Sequence, residues 1–267
     1  MTICLAYVRD KVSPPELILA SDSQLNCGGD EKMFGCQKIF PLKRGDVALG
    51  FTGETALFFP ILQQIIAFCD EHKKNYSRAT SLDKLSSVIL DIANSMLPKI
   101  TYPRRTKGAN DENEKRICNI LLFGWDNKRN VSIPLFKEYF TYSNIKKMFI
   151  RKKLKFISPK GKKISHKVYV IGDCVDAFMD KYEKEAKLYN LDNGKLDQEP
   201  LNIFQKIIDS NYSDLSSIGG TIQALKIYSY LNTLPYCIEK NSDKYLYGRK
   251  LYSWEDVDME STLLSLP

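Results

Sequence analysis

Short apolar runs separated by turn residues open the chain. Residues 2–9 and 16–22 have the composition of β-strands, and the connector D-K-V-S-P-P between them favours a turn, because proline cannot donate to a strand ladder. Two more strand-like runs follow at 36–42 and 46–51. The pattern therefore predicts a block of four strands before the first helix.

Helical spacing of apolar positions begins after the T-G-E-T turn. Residues 54–72 carry apolar side chains near helical spacing, and residues 81–97 do the same between S-L-D-K and Pro98. A polar stretch at 103–116 is predicted to be an exposed loop. The later chain has the same character, with strands predicted at 117–124, 131–140, 146–157, 165–172, 221–229, 235–239 and 244–252 and helices at 175–189 and 200–210.

This order of elements predicts the fold class. Strands that occur in blocks, rather than alternating one by one with helices, argue against a Rossmann-like parallel sheet. Two antiparallel sheets packed face to face, with a helix pair on each outer face, accommodate every predicted element. We therefore expect an α+β fold, a four-layer α-β-β-α sandwich. Residues 1–267 should form it as a single domain, because the sequence shows no internal repeat and no interdomain linker.

The composition excludes several kinds of protein and of site. The seven cysteines are scattered with no C-x-x-C pair, which favours reduced thiols, several of them in the core. With only His72 and His166, neither a histidine-based zinc site nor a Ser-His-Asp triad is favoured, and we predict no metal and no cofactor. The sequence has no apolar stretch of membrane-spanning length and no signal peptide at its start, so we expect a cytoplasmic protein without a membrane partner.

The net charge of +7 is concentrated in one segment. Residues 146–167 hold ten Lys and Arg side chains and no acidic one. Such a segment can dock nucleic acid or an acidic partner, or it can be a solvated hairpin whose apolar residues are interleaved with charged ones. The hairpin is the favoured interpretation, because only Phe149 and Phe156 offer rings on which bases could stack. Nucleic acid is therefore not predicted as a partner.

The start of the chain carries a candidate nucleophile. Removal of Met1, which aminopeptidases catalyse readily before small residues, would give Thr2 a free α-amine beside its hydroxyl. Such a pair is a nucleophile with its own general base, provided that the amine is neutral. A nearby lysine would lower the pKa of the amine by like-charge repulsion, a carboxylate would hold that lysine, and a backbone N–H would stabilise the oxyanion.

Motifs that would supply these groups lie within residues 2–55. In order they are T-I-C-L-A-Y, A-S-D-S-Q, Q-K-I-F-P-L and G-F-T-G-E-T. This series resembles the proteasome β subunits and the peptidase of the HslUV protease, in which an N-terminal Thr precedes an A-x-D-S/T-R-like motif, a K-I pair and a glycine-containing turn. The resemblance implies a threonine-type peptidase or amidase of the N-terminal-nucleophile (Ntn) hydrolase superfamily.

The resemblance also implies a role for each matching residue. Thr2 would be the nucleophile, Lys38 the lysine that keeps its amine neutral, and Asp22 the acid that orients this lysine, at the family's spacing of 16 residues. Gly53 would supply the oxyanion N–H. Each position also has an ordinary interpretation: a capped strand end at Asp22, a solvated strand edge at Lys38 and a turn glycine at Gly53.

The second half of the chain matches that family only in part. V-Y-V-I-G-D-C places Asp173 where the family has a serine that hydrogen-bonds the terminal amine, and S-D-L-S-S-I-G-G places Ile218 in another serine position. Asp214 or Ser217 could replace that second serine only with a local shift. Asp173, Asp214 and Ser217 are therefore catalytic candidates around the amine, and a catalytically silent, scaffold-like protein stays open as an alternative.

The same resemblance implies a substrate pocket and partners. The residues expected to line or floor the pocket are Leu25, Cys36, Phe40, Phe51 and Thr55. Members of that family assemble into rings, often fed by an ATP-dependent unfoldase. We accordingly expect a ring-like homo-oligomer, an unfoldase partner and a peptide or protein substrate. A small-molecule amidase on the same scaffold is the other enzymatic alternative.

Overall fold

The computed structural model describes residues 2–28, 31–99, 118–126, 135–157, 167–172, 174–188, 195–230, 232–255 and 263–265. The strands are β1 Ile3–Arg9, β2 Glu16–Ser21, β3 Leu25–Gly28, β4 Glu31–Met33, β5 Ile39–Pro41, β6 Val47–Gly53, β7 Cys118–Trp125, β8 Leu135–Ser143, β9 Met148–Arg151, β10 Lys155–Ile157, β11 Val168–Gly172, β12 Gln223–Ile227, β13 Leu234–Pro235, β14 Cys237–Lys240, β15 Asp243–Leu246, β16 Arg249–Lys250 and β17 Leu263–Ser265. The helices are α1 Thr55–Glu71, α2 Lys73–Tyr76, α3 Leu82–Met96, α4 Val175–Leu188 and α5 Glu199–Asp209, with short 3-10 helices at Leu97–Lys99 and Ser213–Leu215.

Two larger sheets organise these strands. The first has six strands in the order β10-β11-β1-β2-β12-β13, and the second has five in the order β5-β6-β7-β8-β9. Neighbouring strands within both sheets are antiparallel. The predicted α+β class, with several antiparallel sheets and helices, is confirmed.

Both faces of the central strands are buried, because successive side chains point to opposite sides of a sheet. In β1, Ile3 and Leu5 belong to a core shared with α4 and α5, whereas Cys4 and Ala6 belong to a core shared by the two sheets. All four are fully buried. Burial of one Ile or Leu side chain stabilises the fold by about 1.5–3 kcal/mol, which explains why β1 is apolar from Ile3 to Val8 rather than alternating.

Three apolar cores result. The α4/α5 core packs these helices against the six-stranded sheet, and the α1/α3 core packs those helices against the five-stranded sheet. The intersheet core contains side chains of both sheets. A buried hydrogen bond of 2.8 Å from the Trp125 indole N–H of β7 to the Ile227 carbonyl oxygen of β12 also joins the sheets.

The predicted single strand at 146–157 is wrong. Met148–Arg151 pairs with β8 at the edge of the five-stranded sheet, whereas Lys155–Ile157 pairs with β11 at the edge of the six-stranded sheet. Hydrophobic periodicity cannot detect a change of pairing partner within an extended run. The residues between these strands therefore cross from one sheet to the other, and the basic segment borders both sheets.

Other departures concern short elements. The β3–β4 hairpin and α2 were not predicted, and the strands expected at 235–239 and 244–252 are divided among β13, β14, β15 and β16. The expected loop at 103–116 lies outside the described residues. Within the part of the chain that the structure describes, no helix is both long enough and apolar enough to cross a membrane.

Candidate functional site

Asp22, directly after β2, is the centre of a buried hydrogen-bond cluster. One carboxylate oxygen, Oδ1, accepts from the Ile3 backbone N–H at 3.1 Å. The other, Oδ2, accepts from the Lys38 ammonium at 2.8 Å and from the backbone N–H groups of Gln24 at 3.2 Å and Gly219 at 3.4 Å. The Asp22 side chain is completely buried, so these four donors replace the water that a carboxylate otherwise requires.

Lys38 is fixed by its backbone as well as by its ammonium. Its N–H donates to the side-chain oxygen of Gln223 at 3.0 Å, and its carbonyl accepts from the Phe51 N–H at 2.9 Å. The ammonium also donates to the Gln24 carbonyl oxygen. With its side chain only 4% exposed, the lysine is held between β12 and β6 and aimed at Asp22.

Burial and charge act in opposite directions on Asp22. Burial raises the pKa of its carboxyl, and the Lys38 ammonium together with the N–H groups of Ile3 and Gly219 opposes that rise. The neighbouring Cys4 thiol has its pKa raised to about 12, mainly because it is completely buried. This cysteine is therefore a protonated apolar side chain and not a competing nucleophile.

Thr2 lies one residue before Ile3 and is 4% exposed. Because the Ile3 N–H donates to Asp22 and Asp22 accepts from Lys38, the start of β1 is connected to the buried ion pair through two hydrogen bonds. Ser21 adds a third attachment, since its hydroxyl donates to the Ile3 carbonyl at 2.9 Å. The structure thus brings Thr2, Asp22 and Lys38 to the same end of the six-stranded sheet.

Gly53 is the last residue of β6, the strand whose Phe51 holds the Lys38 carbonyl. Its φ of +123° is in the region that glycine adopts without strain. Cys4 of β1 approaches the same strand, with its Sγ 3.7 Å from the Phe51 carbonyl oxygen. Gly53 therefore ends a strand that contacts both β1 and Lys38.

The expected partners of the terminal amine do not all converge on this cluster. Asp173 lies outside the described residues. Asp214 is half exposed and forms an ion pair with Lys181 of α4, which lowers the pKa of this carboxyl. Ser217 is 3% exposed, and its hydroxyl has no hydrogen-bond partner among the described residues. Of the two candidates that the structure describes, Ser217 is the buried one, and it lies two residues before Gly219, which donates to Asp22.

The residues expected at a substrate pocket fall into two groups. Phe40 and Phe51 are buried in the α1/α3 core, which accounts for them as packing residues. Leu25, Cys36 and Thr55 are half-buried. Their contribution to a pocket stays a prediction.

Sequence reasoning missed Gln223, a fully buried amide in β12. Its nitrogen donates to the carbonyl oxygens of Asp22 at 3.0 Å and Cys36 at 2.9 Å, while its oxygen accepts from Lys38. All three bonds join segments that flank the ion pair. One feature of the sequence indicated this role, namely a single amide within the apolar run T-I-Q-A-L. A buried amide in such a strand needs hydrogen-bond partners that its apolar neighbours cannot supply.

Gly172 of β11 permits the close approach of Thr2 and is the basis of one prediction. It pairs with Ile3, has a φ of +145°, and a Cβ added there would lie 2.2 Å from the Thr2 carbonyl oxygen. Gly172→Ala is therefore expected to displace the start of β1 and to lower the free energy of unfolding by about 1–3 kcal/mol, measured by urea denaturation.

A matched control is Gly50→Ala in β6. A Cβ there would meet Cys4 Sγ and Leu19 Cδ1 at 3.5 Å, an ordinary contact distance. This variant is expected to change the free energy of unfolding by less than about 1 kcal/mol. Equal losses in the two variants would contradict a specific steric requirement beside Thr2.

Among the described residues, no three His, Cys, Asp or Glu side chains are grouped so that they could hold a metal ion. The polar groups gathered at this end of the sheet are a hydroxyl, a carboxylate, an ammonium and several backbone N–H groups. Such a set can activate a nucleophile, tune the pKa of a neighbouring group and stabilise a developing negative charge.

Comparison with solved structures shows that the fold has known counterparts. Among the matching chains is Anbu (ancestral beta-subunit) from Yersinia bercovieri, with a TM-score of 0.52 and 14% sequence identity, covering 88% of this chain and 86% of that chain. No protein-family model and no curated protein sequence matches the chain. At this identity the likeness concerns the fold alone.

These findings correct the family assignment made from the sequence. The assignment to the proteasome β subunits and the HslUV peptidase is wrong, since the structural likeness reported above is to Anbu, at low identity, and no family model matches. The motifs behind that assignment are short and lie mainly in residues 2–55. A few residues at strand ends can agree while the remaining sequence diverges, as the isoleucine at position 218 already indicates.

Proposed function

We propose that this protein is an amide hydrolase that uses Thr2, after removal of Met1, as an N-terminal nucleophile. The observation that supports this most directly is the buried Lys38–Asp22 pair, whose carboxylate accepts from the N–H of the residue after Thr2. A buried ion pair is costly to maintain and is weak evidence for stability alone. Because the ion pair lies beside a potential α-amine, its proposed role is to act on that amine in catalysis.

In the proposed reaction the Thr2 hydroxyl oxygen attacks the amide carbon while its proton passes to the Thr2 amine. The tetrahedral intermediate collapses as the carbon–nitrogen bond breaks, and the amine returns the proton to the leaving nitrogen. Water then hydrolyses the ester formed on Thr2, which releases the acid and regenerates the hydroxyl. The Gly53 N–H is proposed as a donor to the oxyanion.

The proposed role of Lys38 is to keep the Thr2 α-amine neutral. An unperturbed α-amine has a pKa of about 8 and is mostly protonated at neutral pH. A fixed positive charge nearby lowers that pKa, and Asp22 prevents the ammonium from turning away. Ser217 is proposed to bond the amine or a water beside it, because its buried hydroxyl has no partner among the described residues.

We further propose that the molecule is a single four-layer α-β-β-α domain that assembles with copies of itself. The three apolar cores support the layer order, because two of them lie between helices and a sheet and the third lies between the sheets. A peptide or protein is the proposed substrate.

Mass spectrometry of the intact protein tests the activity before any substrate is known. The expressed protein is expected to lack Met1 and to gain one adduct with a peptide epoxyketone, a reagent that requires both the hydroxyl and the amine of an N-terminal threonine. Peptide mapping should place the adduct on Thr2, since the buried Cys4 thiol, with its pKa of about 12, does not compete.

The matched control has a lysine inserted between Met1 and Thr2, which prevents removal of Met1 and should abolish labelling. If Met1 is retained in the native chain, or if labelling persists in this control, the proposed mechanism is wrong.

A second candidate is a non-catalytic scaffold with the same fold. Two observations favour it: Asp214 is engaged by Lys181 at the surface, and Ile218 is buried in the α4/α5 core. A scaffold would retain its oligomeric state, measured by light scattering after size exclusion, while remaining unreactive toward the epoxyketone.

A further inference from the structure

A basic cleft opens where the edges of the two large sheets approach each other. It has a volume of about 320 Å³, and its lining includes Tyr139, Lys152, Lys153, Lys155, Gly172 and one acidic residue, Asp176. Lys152 and Lys153 lie in the crossing between β9 and β10, and Lys155 is the first residue of β10. The cleft thus combines the cationic part of the sequence with the carboxyl end of β11.

This cleft touches the strand that carries the candidate nucleophile. Gly172, in its wall, pairs with Ile3, and its Cα lies so near the Thr2 carbonyl that a side chain would not fit between them. A peptide bound in the cleft would therefore have its bound residues only a few positions away from the residue at Thr2.

Two hydrogen bonds also connect the cleft to the strand that ends at Gly53. The Tyr139 hydroxyl donates to the Asn119 side-chain oxygen at 2.8 Å, and the Asn119 nitrogen donates to the Thr52 hydroxyl oxygen at 2.9 Å. Thr52 immediately precedes Gly53. The nucleophile strand therefore pairs with a lining residue, and the proposed oxyanion strand is connected to the lining through Asn119.

The charge of the cleft is available for binding. Lys155 is engaged by Asp176 at 2.6 Å, but both side chains are more than half exposed and water weakens that pair. Lys152 and Lys153 are exposed, and neither forms an ion pair within the described part of the chain. A ligand with several carboxylates would neutralise them.

Nucleic acid is the poorer occupant because the basic segment offers little aromatic surface for stacking. Phe149 is fully buried in the α1/α3 core. Phe156 is 43% exposed, but the Lys167 ammonium lies over its ring at 4.1 Å from the centroid. Phe149 is therefore closed to a base, and a cation already occupies one face of the Phe156 ring.

We infer that this cleft binds an acidic segment of the substrate, a few residues from the scissile amide, and so selects acidic peptides for Thr2. The inference rests on the proposed function, and it adds the substrate class. Lys152 and Lys153 act as specificity determinants, because they line the cleft together with Gly172 and are not at the reacting atoms.

The first test uses binding and does not depend on catalysis. A short fluorescein-labelled peptide rich in Glu, its Gln counterpart and a single-stranded oligonucleotide are titrated against Thr2→Ala by fluorescence anisotropy. The Glu peptide is expected to bind about tenfold more tightly than the Gln peptide and to weaken with added salt. Equal binding of the two peptides, or tighter binding of the oligonucleotide, would overturn the inference.

The second test measures specificity in the hydrolase. In Lys152→Glu/Lys153→Glu, the ratio of kcat/KM for the Glu peptide to that for the Gln peptide is expected to fall about tenfold or more. Lys146→Glu/Lys147→Glu makes the same change of charge in the exposed β8–β9 turn, outside the cleft lining, and should leave that ratio unchanged.

The two experiments separate failure of this inference from failure of the proposed function. An unreactive Thr2 together with Glu-selective binding that the cleft variant removes would reject the hydrolase and retain the cleft. A reactive Thr2 with a specificity ratio that neither double variant alters would reject the cleft and retain the hydrolase.

Discussion

Thr2→Ala is expected to lower the turnover of amide substrates by about 10³-fold or more, because it removes the atom that attacks the carbonyl. The backbone of β1, including the Ile3 N–H bond to Asp22, is retained in this variant. The free energy of unfolding should therefore change little. Initial rates with a fluorogenic peptide, together with urea denaturation of the same preparations, check both parts of the prediction.

Thr2→Ser is the matched control, since serine keeps both the hydroxyl and the α-amine. It should retain measurable turnover and epoxyketone labelling at residue 2. Full activity in Thr2→Ala would show that another group performs the reaction. Loss of activity in Thr2→Ala together with a large loss of stability would show that the threonine acts in folding.

The strongly patterned elements of the fold were predictable from local information. Helix α3 is capped by Ser81, whose side chain accepts from the Lys84 N–H, and its apolar residues follow helical spacing. Both the start of the helix and its buried face can therefore be predicted from the sequence. The first two strands were similarly marked by apolar runs on either side of the proline turn. These signals depend on residues close together in the chain.

Features that depend on distant contacts were not predictable in the same way. Residues 146–157 of the basic segment have the periodicity of one strand, yet the two halves of this range pair with β8 and β11, which belong to different sheets. Gln223 holds the segments around Lys38 through three hydrogen bonds to residues roughly 185 to 201 positions away. No local pattern encodes such a partner, because the amide becomes necessary only after β12 packs beside β2.

Asp22→Ala is expected to lower the free energy of unfolding by about 3–5 kcal/mol, because it leaves the Lys38 ammonium buried without its counter-charge. The Ile3 and Gly219 N–H groups lose an acceptor at the same time. Lys38→Met should cost less, since burial already raises the pKa of Asp22 and the carboxyl can take up a proton when the ammonium is absent. Urea denaturation of both variants gives the comparison.

Asp22→Ala/Lys38→Met and an exposed pair provide the controls. The double variant should lose less stability than the sum of its two single variants, because neither partner is then left as an isolated buried charge. Asp243→Ala breaks the solvent-exposed Lys250–Asp243 pair, whose side chains are 60% and 39% exposed, and should leave the unfolding midpoint unchanged. Similar midpoints for Asp22→Ala and Asp243→Ala would contradict the importance of burial.

The pH profile of Lys38→Met separates a chemical role of the lysine from a structural one. If the ammonium lowers the pKa of the Thr2 amine, its removal returns that pKa toward about 8, so that more of the amine is protonated at neutral pH and the rate falls. Raising the pH should then deprotonate the amine and recover part of the loss, which shifts the acidic limb of the rate profile to higher pH. A lysine that only supports the fold would lower the rate equally at every pH within the stable range. The shift of this limb therefore tests whether a charge buried beside β1 acts on the nucleophile, and it does so in a variant that retains the Thr2 hydroxyl.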